Sequence, residues 1–236
     1  MHRFPLLALL GLVAASSASA QVGYNPASSP YREIRHGRFI EGMVGRMFGD
    51  GGAIPVGPRD GWMAGGRIDF RSKNSVQVSL GGWYANTVRN IVDADDSVAT
   101  RVKEPPISAD LYGVEGAVQF NVMGAKTWNG LAPYAAIGFG AVWGEHTPPA
   151  DTSGYFFGTK AYIVPLIGAR YFVGQKFFLK AEFRTYLWKI YYPPSYSQEP
   201  ADQPGSGLDF NAVNPTRDPN KIIPAPVLMF GFGYAF

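Results

Sequence analysis

The sequence predicts an all-β fold: an eight-stranded antiparallel up-and-down barrel that spans a membrane. Three observations predict it. The chain closes on an alternation in which Leu228, Phe230, Phe232, Tyr234 and Phe236 take every second position, with Met229, Gly231, Gly233 and Ala235 between them. A strand has period two, so one face is large and aromatic and the other mostly small. Seven further segments are rich in the same alternation, and no stretch after residue 20 is apolar for the length of a membrane helix. The connections between segments alternate between long and short, as in barrels with tight turns on one side of a membrane and long loops on the other. Without helices, only a closed barrel satisfies every backbone donor and acceptor inside a bilayer.

The first element is not part of the barrel. Met1, His2 and Arg3 make a short basic start, residues 4–15 are apolar apart from Pro5 and Gly11, and Ala18, Ser19 and Ala20 form an Ala-x-Ala site before Gln21. This three-part pattern predicts a secretory signal over residues 1–20. Its apolar core, about a dozen residues, is too short to span a bilayer. Residues 21–37 are expected to form a periplasmic lead or to tuck into the barrel, and 38–236 the barrel itself.

Strands are predicted at 38–48, 62–71, 75–88, 108–122, 132–144, 160–173, 176–190 and 224–236. The short connections are 72–74, 123–131 and 174–175; the long ones are 50–61, 89–107, 145–159 and 191–223, mostly rich in Pro, Asp or Gly. An even strand count leaves both termini on the side of the short turns, the periplasm in such barrels.

Parity sorts the faces. Phe177, Leu179, Ala181, Phe183 and Leu187 oppose Lys180, Glu182 and Arg184; Trp62, Ala64, Ile68 and Phe70 oppose Arg67 and Asp69. In the fourth strand Tyr112, Val114, Val118, Phe120 and Val122 oppose Glu115, Gln119 and Asn121. A cation on the lipid face at mid-bilayer costs roughly 2–4 kcal/mol, so the charged parity faces inward. Two strands resist. In the first, Phe39, Met43 and Met47 share parity with Glu41, while Ile40 and Val44 share it with Arg46, and Glu41 is expected near an interface. In the sixth, Pro165 lacks a ladder donor and predicts a bulge or an early break. Trp62, Trp83, Trp143 and Trp188 fall near the outer strand ends and are expected to form an aromatic girdle. Trp83 and Trp188 have inward parity, so that role requires a bulge or a position above the membrane.

Composition excludes several classes. There are no cysteines, hence no disulfide framework, thiolate nucleophile or Cys-based metal site. A formal charge of +3 without a basic run argues against nucleic acid. The 29 glycines and the 14% aromatic content suit tight turns and membrane-facing surface.

With this architecture and the ending Phe232-x-Tyr234-x-Phe236, residues 38–236 resemble the eight-stranded outer-membrane barrels, the group that includes the OmpA transmembrane domain, OmpX and OmpW. The ending resembles the signature read by the barrel-assembly machinery, with aromatics at the last, third-last and fifth-last positions. The resemblance implies the outer membrane of a Gram-negative-type bacterium, contact with outer-membrane lipid and lipopolysaccharide, and a monomer. A soluble lipocalin-like barrel is the alternative fold, opposed by the outward aromatics and Phe236.

The candidate chemistry is sparse. Arg67, Asp69, Glu115, Arg170, Lys180, Glu182 and Arg184 are expected inside as a charge network, since an eight-stranded interior is just wide enough for side chains. An unpaired buried charge is costly, which favours a sealed polar core over a gated ion path. Small inward residues, Ala136, Gly138, Gly140, Gly231 and Gly233, leave room for long side chains or for a narrow cavity. His36 and His146 lack the His-x-Ser pattern of the lipid A deacylase family, and His146 with Asp151 and Ser153 is the sole local triad candidate. No catalytic residue, metal ligand or cofactor is assigned. Asp93, Asp95, Ser97 and Glu104 mimic the spacing of a calcium loop, but Val98 stands where glycine is required. Residues 191–223 form a loop stiffened by Pro193, Pro194, Pro200, Pro204, Pro215 and Pro219, a candidate for recognition. The leading expectation is a non-enzymatic surface protein acting through its outer loops. A narrow channel for small or apolar solutes comes second and a lipid-modifying enzyme third.

Overall fold

The computed structural model describes residues 29–236 apart from 53, 73–74, 95, 145–150, 152, 201–210 and 214–221; the predicted signal lies outside them. Its strands are β1 (Tyr31–Glu33), β2 (Arg38–Asp50), β3 (Arg59–Arg71), β4 (Val76–Val92), β5 (Val102–Asn121), β6 (Lys126–Trp128), β7 (Leu131–Gly144), β8 (Thr159–Val173), β9 (Phe177–Lys189) and β10 (Ile222–Ala235). Eight of these, all but β1 and β6, pair antiparallel in chain order and close into a barrel. Closure is made by β10 against β2, with Phe232 opposite Gly42 and Ala235 opposite Phe39. The Phe236 amide donates to the Arg38 carbonyl at 2.9 Å.

The strands form where period-two alternation is strong, and they overrun it at one place. β4 and β5 continue as a hairpin beyond the wall, with Ile91 opposite Lys103 and Val92 opposite Val102 after a register shift near Arg89. There the pairing outlasts the apolar pattern, and Pro105 and Pro106 conceal the strand in the sequence. Pro165 produces neither a bulge nor a break. β8 runs unbroken, Pro165 keeps register with Ile137, and pairing to β9 resumes unchanged from Ile163–Leu187 to Leu166–Arg184. The proline is exposed on the outer face, where one missing donor interrupts the ladder without inserting a residue.

The outside of the wall is apolar all round. Val44, Ile68, Leu80, Val118, Phe139, Ile167, Leu179 and Phe230, one from each barrel strand, are all exposed. A water-facing surface of this kind would aggregate, whereas lipid solvates it. Closure also removes the free edges that lipid cannot satisfy. The short β1 pairs with β6 at the turn end of the barrel, and β6 is joined to β7 by a two-residue turn with Asn129 at φ 49° and Gly130 at φ 87°. Positive φ at both positions is what such a tight hairpin demands.

Inside, glycines admit large neighbours. A Cβ on Gly113 would lie 2.2 Å from Cε2 of Trp83, so the indole occupies the volume the missing side chain leaves. Gly113→Ala is therefore expected to destabilise the barrel by about 1–3 kcal/mol through overpacking. Urea unfolding of the refolded variant measures this, and a midpoint equal to that of the parent would contradict the packing.

Candidate functional site: a closed ionic interior

The barrel interior is arranged in layers along its axis. At the turn end Phe39, Phe172 and Phe178 pack with ring centroids 5.4–6.4 Å apart. Beside them Gln77, Gln119 and Asn121 hydrogen-bond to one another, with Gln119 Nε2 donating to Asn121 Oδ1 at 2.7 Å.

The middle layer holds four carboxylates, Glu41, Asp69, Glu115 and Glu182, and four cations, Arg67, Arg170, Lys180 and Arg184, all buried. Their formal charges cancel. Arg67 Nε donates to Glu41 Oε1 at 2.8 Å and lies 3.1 Å from Asp69, while its Nη2 reaches Glu182 at 3.2 Å. Lys180 Nζ donates to Glu41 at 2.5 Å and lies 2.9 Å from Glu182. Arg170 Nη2 donates to Asp69 at 2.6 Å, and its guanidinium carbon sits 5.1–5.3 Å from the centroids of Phe39, Tyr134 and Phe178. Arg184 joins Glu182 through Nε at 2.7 Å and Glu115 at 3.1 Å. Tyr134 donates to Glu182 at 2.7 Å, and Arg184 donates to the Tyr186 hydroxyl at 2.8 Å. A cavity of about 10 Å³, between Trp83, Glu115, Arg184 and glycines of β3 and β4, has room for about one water.

Towards the loop end the filling becomes aromatic and thioether-rich. Trp83, Tyr162, Tyr186 and Trp188 pack at 5.0–6.0 Å, surrounded by Met43, Met47, Met63 and Met229. The loops continue this cluster. Arg89 forms a buried ion pair with Asp151 and stacks 5.5 Å from the centroid of Tyr155. Burial works to raise the Asp151 carboxyl, but hydrogen bonds from Ser153 and Arg89 outweigh it and hold the group below its ordinary range. Tyr196, in a short 3-10 turn at Pro194–Ser197, donates to the Val92 carbonyl at 2.8 Å. Its own carbonyl accepts from the Val213 amide at 2.8 Å. Burial pushes its phenol up to about 12.

The outer membrane protein OprG from Pseudomonas aeruginosa superposes with a TM-score of 0.52 at 13% identity, over 89% of this chain and 99% of its own. Neisserial surface protein A (NspA) superposes at 0.50 and 13% identity, over 88% and 98%. The fold is that of the eight-stranded outer-membrane barrels. At such identity the likeness extends to the fold alone. No family model matches the sequence, and no curated protein matches it.

Several expected roles are corrected. Trp83 and Trp188 do not belong to an outer girdle: they are 7% and 2% exposed and lie inside, with Trp83 Nε1 donating to Tyr162 at 2.9 Å. The inward parity of β4 and β9 holds at both residues, and inward glycines make space for the first. Trp62, 67% exposed, and Trp143 do point outward, with Tyr112 beside Trp143 and Tyr84 beside Tyr112. Glu41 is not near an interface. It is buried between Arg67 and Lys180 because its parity with Phe39 and Met43 is the inward one; Arg46 takes the outer face, over the Phe48 ring. That parity was the signal for Glu41, whereas Tyr134, Tyr162 and Tyr186 carry no charge to mark them as network members.

The loop candidates are not brought together. His146 and Asp95 lie outside the described residues, Asp151 is engaged by Arg89, Ser97 hydrogen-bonds with Thr100 at 2.9 Å, and Glu104 accepts from Asn90 at 3.0 Å. Among the described residues no group of three His, Cys, Asp or Glu is placed to hold a metal. Most of the Pro-rich loop lies outside the described residues.

Breaking the ionic lattice is expected to be costly. Glu182→Ala leaves Arg67, Lys180 and Arg184 short of a partner and is expected to remove about 3–5 kcal/mol of stability. Denaturant unfolding in detergent micelles reads this out. An unchanged midpoint would show that Glu182 is not buried among these cations.

Proposed function

We propose that this protein is a non-enzymatic outer-membrane barrel with a sealed interior, acting at the cell surface through its loops. The carrying observation is the middle layer, where side chains from β2, β3, β5, β8 and β9 bridge the cross-section and their charges cancel. An interior filled in this way is the one expected of a structural eight-stranded barrel. The apolar outer wall supports residence in lipid, and the short turns then face the periplasm and the long loops the exterior. Over the outer mouth, the Arg89–Asp151 pair and the Tyr196–Val92 bond hold parts of two loops against the barrel, giving a rigid surface for contact with lipopolysaccharide or another surface. Phe232, Tyr234 and Phe236 are the residues offered to the assembly machinery, and a monomer suffices because closure pairs every strand of the wall on both sides.

Two measurements test this. Single-channel recording of the refolded protein in a planar bilayer is expected to be silent, once a heat-dependent gel shift has established that it is folded. Steady, reproducible openings would replace the sealed scaffold with a channel lined by the inward charges. Deletion of Phe236 is expected to reduce the level of protein recovered in the outer membrane. Normal recovery would remove the terminal aromatic from the assembly signature.

A further inference from the structure

The segment ahead of the barrel does not hang free. The register carries one face across four strands: Tyr31 is opposite Trp128, Trp128 opposite Leu131, and Leu131 opposite Tyr171. Residues directly opposite in a sheet share a face. Tyr171 belongs to the outer, lipid-facing side of β8 with Ile167 and Val173, so Tyr31 and Trp128 lie on the continuation of that side. The ribbon also continues the wall itself. β5 leaves the edge of β7 at Asn121–Tyr134, and a few residues towards the turn end β6 takes the same edge at Trp128–Leu131.

The two faces of the ribbon differ. The outer one carries Tyr31, 50% exposed, and Trp128, 47% exposed, with Glu33 opposite Lys126 at its far end. On the inner one Arg32 and Thr127, with Phe172 and Gln175, line a cavity of about 500 Å³ at the mouth of the barrel. A two-stranded ribbon is only marginally stable by itself. This one extends its own ladder through Ile34 donating to Ala125 and Asn129 donating to Pro30 (both 2.8 Å), and is tied to the wall by Arg71 of β3 donating to the Ile34 carbonyl at 2.6 Å. Tryptophan and tyrosine pair an apolar ring with a polar tip, which places them at the headgroup level of a bilayer.

We propose that the β1–β6 ribbon is an interfacial foot: Tyr31 and Trp128 seat in the phospholipid headgroup region on the periplasmic side and fix residues 31–37, ahead of the barrel, against the membrane. The occupant follows from continuity with the lipid-facing wall, and the inference rests on the membrane reading given under the proposed function. The foot sets where the chain leaves the barrel and keeps its Arg32 face towards the aqueous mouth.

The absence of native cysteine makes the test clean. Single variants Tyr31→Cys, Trp128→Cys, Arg32→Cys and Tyr171→Cys carry a nitroxide on the full protein refolded into phospholipid vesicles. Collision with oxygen, which enters lipid, is compared with collision with a water-soluble nickel chelate. The oxygen-to-nickel ratio at Tyr31 and Trp128 is expected to follow Tyr171 and to exceed that at Arg32 several-fold. If Tyr171 reads as lipid-exposed while Tyr31 and Trp128 match Arg32, the foot is overturned and the barrel stands. Labels shielded from both reagents would mean a protein partner or a second copy covers this face, which also overturns it. A water-exposed Tyr171 would instead refute the lipid-facing wall and the foot with it. Because Tyr31 and Trp128 are tested separately, loss of folding in one variant leaves the other to decide.

Discussion

The pairing of β10 with β2 is the interaction on which the rest of this structure depends. In lipid, an open sheet would leave two rows of unpaired amides and carbonyls, each costing several kcal/mol. Closure satisfies them and turns one face of every strand into a bounded volume. From then on parity alone decides which side chains must share that volume. Eight strands enclose a narrow one, so long side chains need small neighbours. The register supplies them: Gly81 lies opposite both Arg67 and Glu115, Gly140 opposite Glu115, Gly168 opposite Glu182, and Gly231 opposite Lys180. The glycines of the inner face are the space into which the ionic lattice is folded.

That lattice is a consequence of the alternation as much as a source of stability. Buried ion pairs often do no better than apolar packing of the same volume, because two charges must first be taken out of water. An apolar interior in this chain would, however, make both faces of each strand alike, and a strand with two like faces specifies its register weakly. Charges on the inner face keep the two sides chemically distinct. They also interlock: Arg67 touches Glu41, Asp69 and Glu182, and Glu182 touches Lys180 and Arg184. The members of such a network are coupled, so the effect of losing one is not a sum of pair energies.

The eight barrel strands, and the inward parity of seven of the eight interior charges, were legible because both follow from period two, a property of each strand alone. What could not be read depends on neighbours. Glu41 looked anomalous among Phe39, Met43 and Met47 because its partners Arg67 and Lys180 are 26 and 139 residues away. Trp83 and Trp188 have the composition of girdle residues and the parity of interior ones. Parity prevailed because a strand cannot turn one side chain over without a bulge. Pro165 shows the reverse case, a local rule overruled because the outer face tolerates a missing donor. β1 and β6, three residues each, are too short to leave a pattern and exist through the pairing of β1 with β6 and of β6 with β7.

The two ends of the barrel interior are packed by different means. At the turn end the plug is made by barrel strands themselves, Phe39 from β2, Phe172 from β8 and Phe178 from β9, so it is as rigid as the wall. At the loop end the aromatic filling rises out of the barrel and is completed by loop residues, Tyr155, Phe157 and Tyr196, held by a buried ion pair and a few backbone bonds. Between them, the charges of the middle layer are paired with one another. On the function proposed above, recognition falls to the rims. The loop rim offers side chains such as Phe156 and Tyr191 on a platform whose shape depends on Arg89 and Asp151, while the turn rim carries the aromatic ribbon of Tyr31 and Trp128. Substitutions in the lattice act on whether the barrel stands; on the proposed function, substitutions at the rims act on what it meets.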